Sequence, residues 1–204
     1  MDTNPLTRSE THDPSSIESV TGEILLAAAH PPPPMEVSLR PMDLSDIDDF
    51  MEWATDSKVA RFCTWEPYTS REAGIAHIRD QILPHPWLRA ICLAGKPIGS
   101  ISVTPVDKIR WKLGYVIGSG YWGRGIATAA VRLVAAEVFR DMPAMARLEA
   151  LVDLENMGSQ RVLEKVGFTR EGVLRKFMLH KGSVRDMVMF SLLPDDPLLS
   201  DRID

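Results

Sequence analysis

Cysteine is scarce in this chain: Cys63 and Cys92 are the only two in 204 residues. One pair cannot build a disulfide framework, so free thiols in a reducing, cytoplasmic setting are expected, with a single disulfide as the alternative. Positive charge is not in excess either. The net charge is −5, which argues against broad binding to nucleic acid or to an acidic membrane surface. No apolar run approaches the roughly 18 residues of a membrane-crossing helix. The five histidines, His12, His30, His77, His85 and His180, form no H-E-x-x-H and no cysteine–histidine pairing. No metal is therefore expected. What is present is an ordinary globular composition, 45% apolar and 25% charged, in a length that suits one domain with a full core.

The first 35 residues stand apart. They are rich in Ser, Thr and Pro and end in Pro31-Pro32-Pro33-Pro34, a run that favours an extended polyproline II spacer. Asp2, Glu10, Asp13, Glu18 and Glu23 argue against a signal or transit peptide. The expected organisation is a flexible N-terminal extension over 1–35, one domain over 36–195 and a C-terminal tail over 196–204.

Within the domain, Val37 and Leu39 alternate with Ser38 and Arg40, which predicts a first strand. Ser45 with Asp48, and Thr69 with Glu72, read as capping boxes for two helices. Strands are expected near 87–94, 97–104 and 109–117, with Ala94-Gly95-Lys96-Pro97 as a turn. A largely apolar helix over 125–140, carrying only Arg132, Glu137 and Arg140 as charges, should be buried against a sheet. A strand at 147–152 and a helix at 156–166 ending on Gly167 follow. Two last strands, near 172–179 and 184–193, should pair across His180-Lys181-Gly182-Ser183. The pattern is a mixed α/β layer structure.

The most informative stretch is the link between the strand ending at Ile117 and the apolar helix. Four glycines crowd it: Gly118, Gly120, Gly123 and Gly125. Glycine admits unusual dihedrals and close approach of backbone to a ligand. The next helical turn offers unpaired N–H groups and the positive end of a dipole, so a phosphate or pyrophosphate fits there. Two cofactors compete for this turn. Gly118-Ser119-Gly120-Tyr121-Trp122-Gly123 is a literal G-x-G-x-x-G, the dinucleotide fingerprint of a nicotinamide-dependent oxidoreductase. That reading puts both Gly123 and Gly125 into the first helical turns, at roughly 1 kcal/mol each relative to alanine. It also lacks an acidic ribose partner at the end of a second strand.

The other reading starts the helix at about Gly125. Trp122-Gly123-Arg124-Gly125-Ile126-Ala127 then resembles the Q/R-x-x-G-x-G/A loop of the GNAT acetyltransferase superfamily, with Trp122 at the usual Gln/Arg position. Downstream, Asn156-Met157-Gly158-Ser159-Gln160-Arg161-Val162-Leu163-Glu164-Lys165-Val166-Gly167-Phe168 is similar to the N-x-x-S-x-x-V-L-E-K-x-G-F signature of the branch of ribosomal-protein N-terminal acetyltransferases. Glu171-Gly172-Val173-Leu174-Arg175 and Asp186 continue it. The likeness spans about Val37 to Leu193.

The resemblance implies a mostly antiparallel central sheet of about seven strands, splayed at the cofactor, with about four flanking helices. It implies acetyl transfer from acetyl-CoA to an amine acceptor, peptide or small molecule, by a monomer or homodimer. Strand backbone at Tyr115, Val116 and Ile117 would pair with pantetheine. The loop from Trp122 and Gly123 through Arg124, Gly125, Ile126, Ala127 and Thr128 would hold the pyrophosphate. Asn156 would bond pantetheine, and Ser159 would serve the departing thiolate; simple helix capping is the other reading of both. Arg61 to Tyr68 would line the acceptor pocket. Two positions depart from the family pattern. Leu163 stands where many members carry a tyrosine acid, and Met178 where some carry a glutamate base. Glu149, Asp153 and His180 stay open as bases, and a binding protein without turnover stays open as a rival.

Overall fold

The computed structural model describes residues 36–199. The N-terminal extension over 1–35 and residues 200–204 lie outside the described residues. Seven strands form one sheet in the order β1-β2-β3-β4-β5-β7-β6. They are β1 (Val37–Arg40), β2 (Leu88–Leu93), β3 (Lys96–Pro105), β4 (Arg110–Ile117), β5 (Arg147–Asp153), β6 (Thr169–His180) and β7 (Ser183–Leu192). Every neighbouring pair is antiparallel except β4 and β5. The described residues hold five α-helices, one more than expected: α1 (Ile47–Ala54), α2 (Ser57–Ala60), α3 (Arg71–His77), α4 (Ile126–Asp141) and α5 (Met157–Val166). The extra one is the single turn α2.

Strand alternation sorts the core into two layers. Ile101, Val103, Leu113 and Ile117 face α4 and α5. Ala90 and Cys92 face α1 and the turn Ile78–Ile82 that follows α3. Helix α4 buries Ile126, Ala130, Val131, Val134, Ala135 and Val138. Each branched side chain there contributes about 1.5–3 kcal/mol of burial free energy.

Two helix starts differ from expectation. Asp43, not Ser45, caps the 3-10 turn Leu44–Asp46 that leads into α1: its carboxylate accepts from Ser45 N–H at 2.7 Å, and Asp46 accepts from Asp43 N–H at 3.0 Å. Arg40 holds Asp46 in place with two bonds of 2.7 and 2.8 Å, which selects this box over the later one. Ser70, not Thr69, caps α3, accepting from Ala73 N–H at 3.1 Å. Gly167 ends α5 at φ +116°. The β6–β7 turn carries positive φ at both Lys181 and Gly182, as a two-residue hairpin of the favoured twist requires.

Candidate active site

The parallel pair opens almost at once. Strands β4 and β5 pair only through Arg110–Lys112 and Arg147–Glu149. Beyond Lys112 no strand among the described residues pairs with that edge of β4. Gly118 N–H donates to Ile98 O at 2.8 Å, and Arg110 O accepts from Val106 N–H, so the even-numbered residues turn their backbone groups to β3. By alternation, the N–H and C=O groups of Leu113, Tyr115 and Ile117 point into the gap. Val116, which the resemblance includes with Tyr115 and Ile117, faces β3 with its backbone.

The glycine loop closes one end of this gap. Gly123 and Gly125 have φ of +74° and +77°, and no atom lies within 4 Å of a Cβ built on either. Backbone conformation, not crowding, demands glycine there. Gly118 and Gly120 have no such φ. Gly125 is the N-cap of α4, and the first helical bond runs from Ala129 N–H to Gly125 O. Gly123 is thus in the loop and not inside the helix, contrary to the dinucleotide reading. The N–H groups of Ile126, Ala127 and Thr128 stand at the open start of a sixteen-residue helix, where the dipole favours an anion. Trp122 folds back, and its indole N–H donates to Ile117 O at 2.8 Å. Arg124 lies over the Tyr121 ring, 5.7 Å from its centre. Ser119 donates to the Asp56 carboxylate, which ties the loop to the N-cap of α2 and lowers the Asp56 pKa.

Helix α5 forms the far wall. Asn156 is its N-cap, with Oδ1 accepting from Ser159 N–H at 3.1 Å. That bond is the capping role, and among the described residues it leaves the Asn156 amide N–H₂ with no hydrogen-bond partner. Ser159 Oγ lies 2.6 Å from the Tyr115 hydroxyl, which is also 3.1 Å from Ser159 O. The family resemblance implies a role for the Tyr115 backbone alone and does not include this phenol. The signal was available: Tyr115 shares strand parity with the core residues Leu113 and Ile117, so its side chain had to meet the helix layer. Leu163 is fully buried among Val166 and Phe168, so the family tyrosine would find no room in this packing.

The candidate bases are dispersed. Glu149 sits where β4 and β5 still pair, 3.1 Å from Arg147 and 3.7 Å from Arg110. Asp153, at the open end of β5, accepts from Glu155 N–H at 2.8 Å and lies 3.6 Å from Arg185. His180 Nε2 is 3.1 Å from Arg61 O. Met178 is opposite Arg185 on β7. Of the segment 61–68, Trp65 and Tyr68 pack against Phe50 and Trp53, as core. Arg61 and Glu66 line a groove of about 510 Å³ with Lys58, His180, Lys181 and Arg185. No cluster suited to a metal ion occurs among the described residues, and no helix among them is long and apolar enough to cross a membrane.

The sequence model of the acetyltransferase (GNAT) domain matches residues 36–169. A Bacillus licheniformis protein, described as the uncharacterized N-acetyltransferase p20, is 29% identical over 172 residues, covering 77% of this chain and 92% of that protein. A GNAT-family acetyltransferase structure from Bacillus anthracis is similar in fold at a TM-score of 0.71 and 23% identity, covering 78% of this chain and 96% of its own. RimJ of Mycobacterium smegmatis, solved in complex with CoA-disulfide, is similar at a TM-score of 0.63 and 24% identity, covering 78% and 82%. The family model spans well over half of this chain, and the matched residues include β4, the glycine loop and α4: the chain belongs to the GNAT acetyltransferase family.

Proposed function

We propose that this chain binds acetyl-CoA in the β4–β5 gap and transfers the acetyl group directly to a primary amine. One observation carries the reading. The strand edge of Leu113, Tyr115 and Ile117, with which no other strand among the described residues pairs, runs into the open N-terminus of α4. An extended amide-bearing arm ending in a pyrophosphate needs both, in that order. A nicotinamide dinucleotide has no such arm, and the sheet is mostly antiparallel.

The fit extends to individual groups. Gly123 and Gly125 keep side chains away from the loop, and the amides of Arg124, Gly125, Ile126, Ala127 and Thr128 would hold the two phosphates. Tyr115 and Ile117 would pair with the pantetheine amides, as a neighbouring strand would. The Ile117 carbonyl already accepts from the Trp122 indole N–H. Asn156, the N-cap of α5, brings a side-chain amide donor to the far wall of the gap. Bound acetyl-CoA supplies an activated thioester carbonyl. A β4 backbone N–H aimed into the gap would stabilise negative charge developing on the carbonyl oxygen, and Ser159 would donate to the departing sulfur.

The acceptor enters from the groove beside α2 and the β6–β7 turn. Attack requires a neutral amine. An α-amino group titrates near ~7.7–8.0 and a lysine near ~10.4, so terminal amines are the easier class at neutral pH.

Two measurements test this. Coenzyme A and NAD are compared by thermal shift, since the ligand that binds the folded state raises the melting temperature. Acetyl-CoA is then offered with N-terminal peptides, lysine peptides and polyamines, with products read by mass spectrometry. Stabilisation by CoA and one acetylated class support the reading. Tight CoA binding with no product anywhere would make the chain a binding protein, and stabilisation by NAD alone would overturn the site.

A further inference from the structure

The family tyrosine is absent at Leu163, yet a phenol stands at Ser159, reached from the opposite wall. Tyr115 projects from β4 across the gap, and its hydroxyl oxygen is 2.6 Å from Ser159 Oγ and 3.1 Å from Ser159 O. We propose that Tyr115 is a positioning residue for the transfer reaction: its hydroxyl donates to Ser159 Oγ and so turns the serine proton outward, toward the departing sulfur. This inference rests on the acetyl-CoA reading of the gap.

Hydrogen-bond arithmetic supports the direction. A phenol carries one proton, and so does a serine hydroxyl. If the phenol donated to Ser159 O, the serine proton would be free to point back at the phenol and be lost to the gap. The Oγ contact is the shorter of the two, and the phenol is the stronger acid of the pair, so it is the natural donor. The serine then keeps a lone pair engaged and its own proton directed into the gap. The Ser159 backbone is fixed at the same time by its N–H bond to Asn156 Oδ1 at 3.1 Å.

The balance of the reaction fixes how far this goes. The amine nitrogen forms a bond to the carbonyl carbon, the carbon–sulfur bond breaks, the amine loses one proton and the thiolate gains one. Burial holds the Tyr115 phenol above its ordinary range, whereas a thiol titrates near ~8.5 and a free phenol near ~10. Complete transfer of the phenolic proton to a thiolate is therefore uphill by roughly thirtyfold or more. Tyr115 orients and polarises; the proton that ends on sulfur derives from the acceptor amine.

The test is a double-mutant cycle on the full chain. Tyr115→Phe, Ser159→Ala and the double variant are measured for the Kd of CoA, melting temperature, kcat and KM with acetyl-CoA and the best acceptor. Tyr115→Phe should lower kcat roughly tenfold or more, as loss of a positioned donor does, with KM and the CoA Kd within about threefold. The double variant should be no slower than Ser159→Ala alone, because one hydroxyl acts through the other. Tyr115→His, which keeps a ring N–H, should recover part of the loss, and Tyr115→Leu, which like Phe has no donor, replaces Phe in the cycle should Tyr115→Phe lose its cooperative melting transition. Wild-type kcat in Tyr115→Phe, or additive losses in the double variant, would overturn the inference. If wild type itself neither binds CoA nor forms product, the fault lies with the acetyl-CoA reading; if wild type turns over and Tyr115→Phe is silent, only the role of Tyr115 falls.

Discussion

Gly99 is the residue whose replacement should report most directly on the β4 edge. It lies on β3 between Ile91 of β2 and Ile117 of β4. A Cβ built there falls 2.1 Å from Val116 O and 2.9 Å from Ile117 Cα. Both are backbone atoms in the centre of a sheet, so neither can swing aside as a side chain would. Relieving the first contact to 3.0 Å requires β3 and β4 to part locally by about 0.9 Å. The Gly118-to-Ile98 bond of 2.8 Å would then be stretched past a useful length, at about 1 kcal/mol. Overpacking adds about 1–3 kcal/mol. Gly99→Ala should therefore destabilise by about 3 kcal/mol, a fall in melting temperature of roughly 6–12 °C for a chain of this size. Of the displaced residues, Ile117 belongs to the edge proposed to bind pantetheine and Val116 lies within the same strand. CoA affinity should fall at least tenfold, and by more than in Phe190→Leu, a core change on β7 of comparable stability cost. Thermal melts and a CoA titration check both. A variant with wild-type melting temperature and affinity would refute the steric argument, and equal affinity losses in the two variants would refute the special place of this edge.

Four further outcomes are expected. Gly125→Glu sets an anion at the start of α4 and a side chain at φ +77°, so CoA binding should be abolished in a titration. Gly125→Ala should instead cost about 1–2 kcal/mol of stability from the left-handed backbone alone, because no atom crowds that site. Leu163→Tyr, which writes the family tyrosine back, should lower stability by about 2–4 kcal/mol in denaturant melts, since it overpacks a fully buried position and buries a hydroxyl; it should not raise kcat. Glu171 bridges over β7 to Arg147 with bonds of 2.6 and 2.7 Å and accepts from Ser191 at 2.8 Å. The Arg147 bonds foremost hold its pKa down at about 2, below the unfolded value of ~4.3. Its contribution is thus present above pH ~4.3 and lost as pH falls toward 2. Glu171→Gln should flatten that part of the stability–pH curve in urea melts.

Several features of the site were legible because they are local. The helix start after Gly125, the Gly167 end of α5 and the Lys181-Gly182 hairpin depend on backbone dihedrals that few residues adopt, so residue identity alone announces them. Cap positions were legible only to within one or two residues. Asp43 prevailed over Ser45 because Arg40, three residues before it, holds Asp46, and Ser70 prevailed over Thr69 by its bond to Ala73. Glu171 could be read as part of a signature but not as a strut. Its role depends on a β-bulge between Arg170 and Gly172 that frees it from pairing, and a bulge is a property of two strands.

From residues alone came the family likeness, the one-domain length, the glycine-loop start of α4 and the burial of that helix, since each follows from propensity, periodicity or short-range spacing. Folding alone decided that β4 and β5 part after Lys112, that Val116 turns its amide to β3 while Tyr115 and Ile117 face the gap, that a Cβ at position 99 meets a carbonyl, and that the Tyr115 phenol reaches Ser159 from 44 residues away. Those depend on which strand edge lies beside which helix, and no short-range rule carries that information across such a separation.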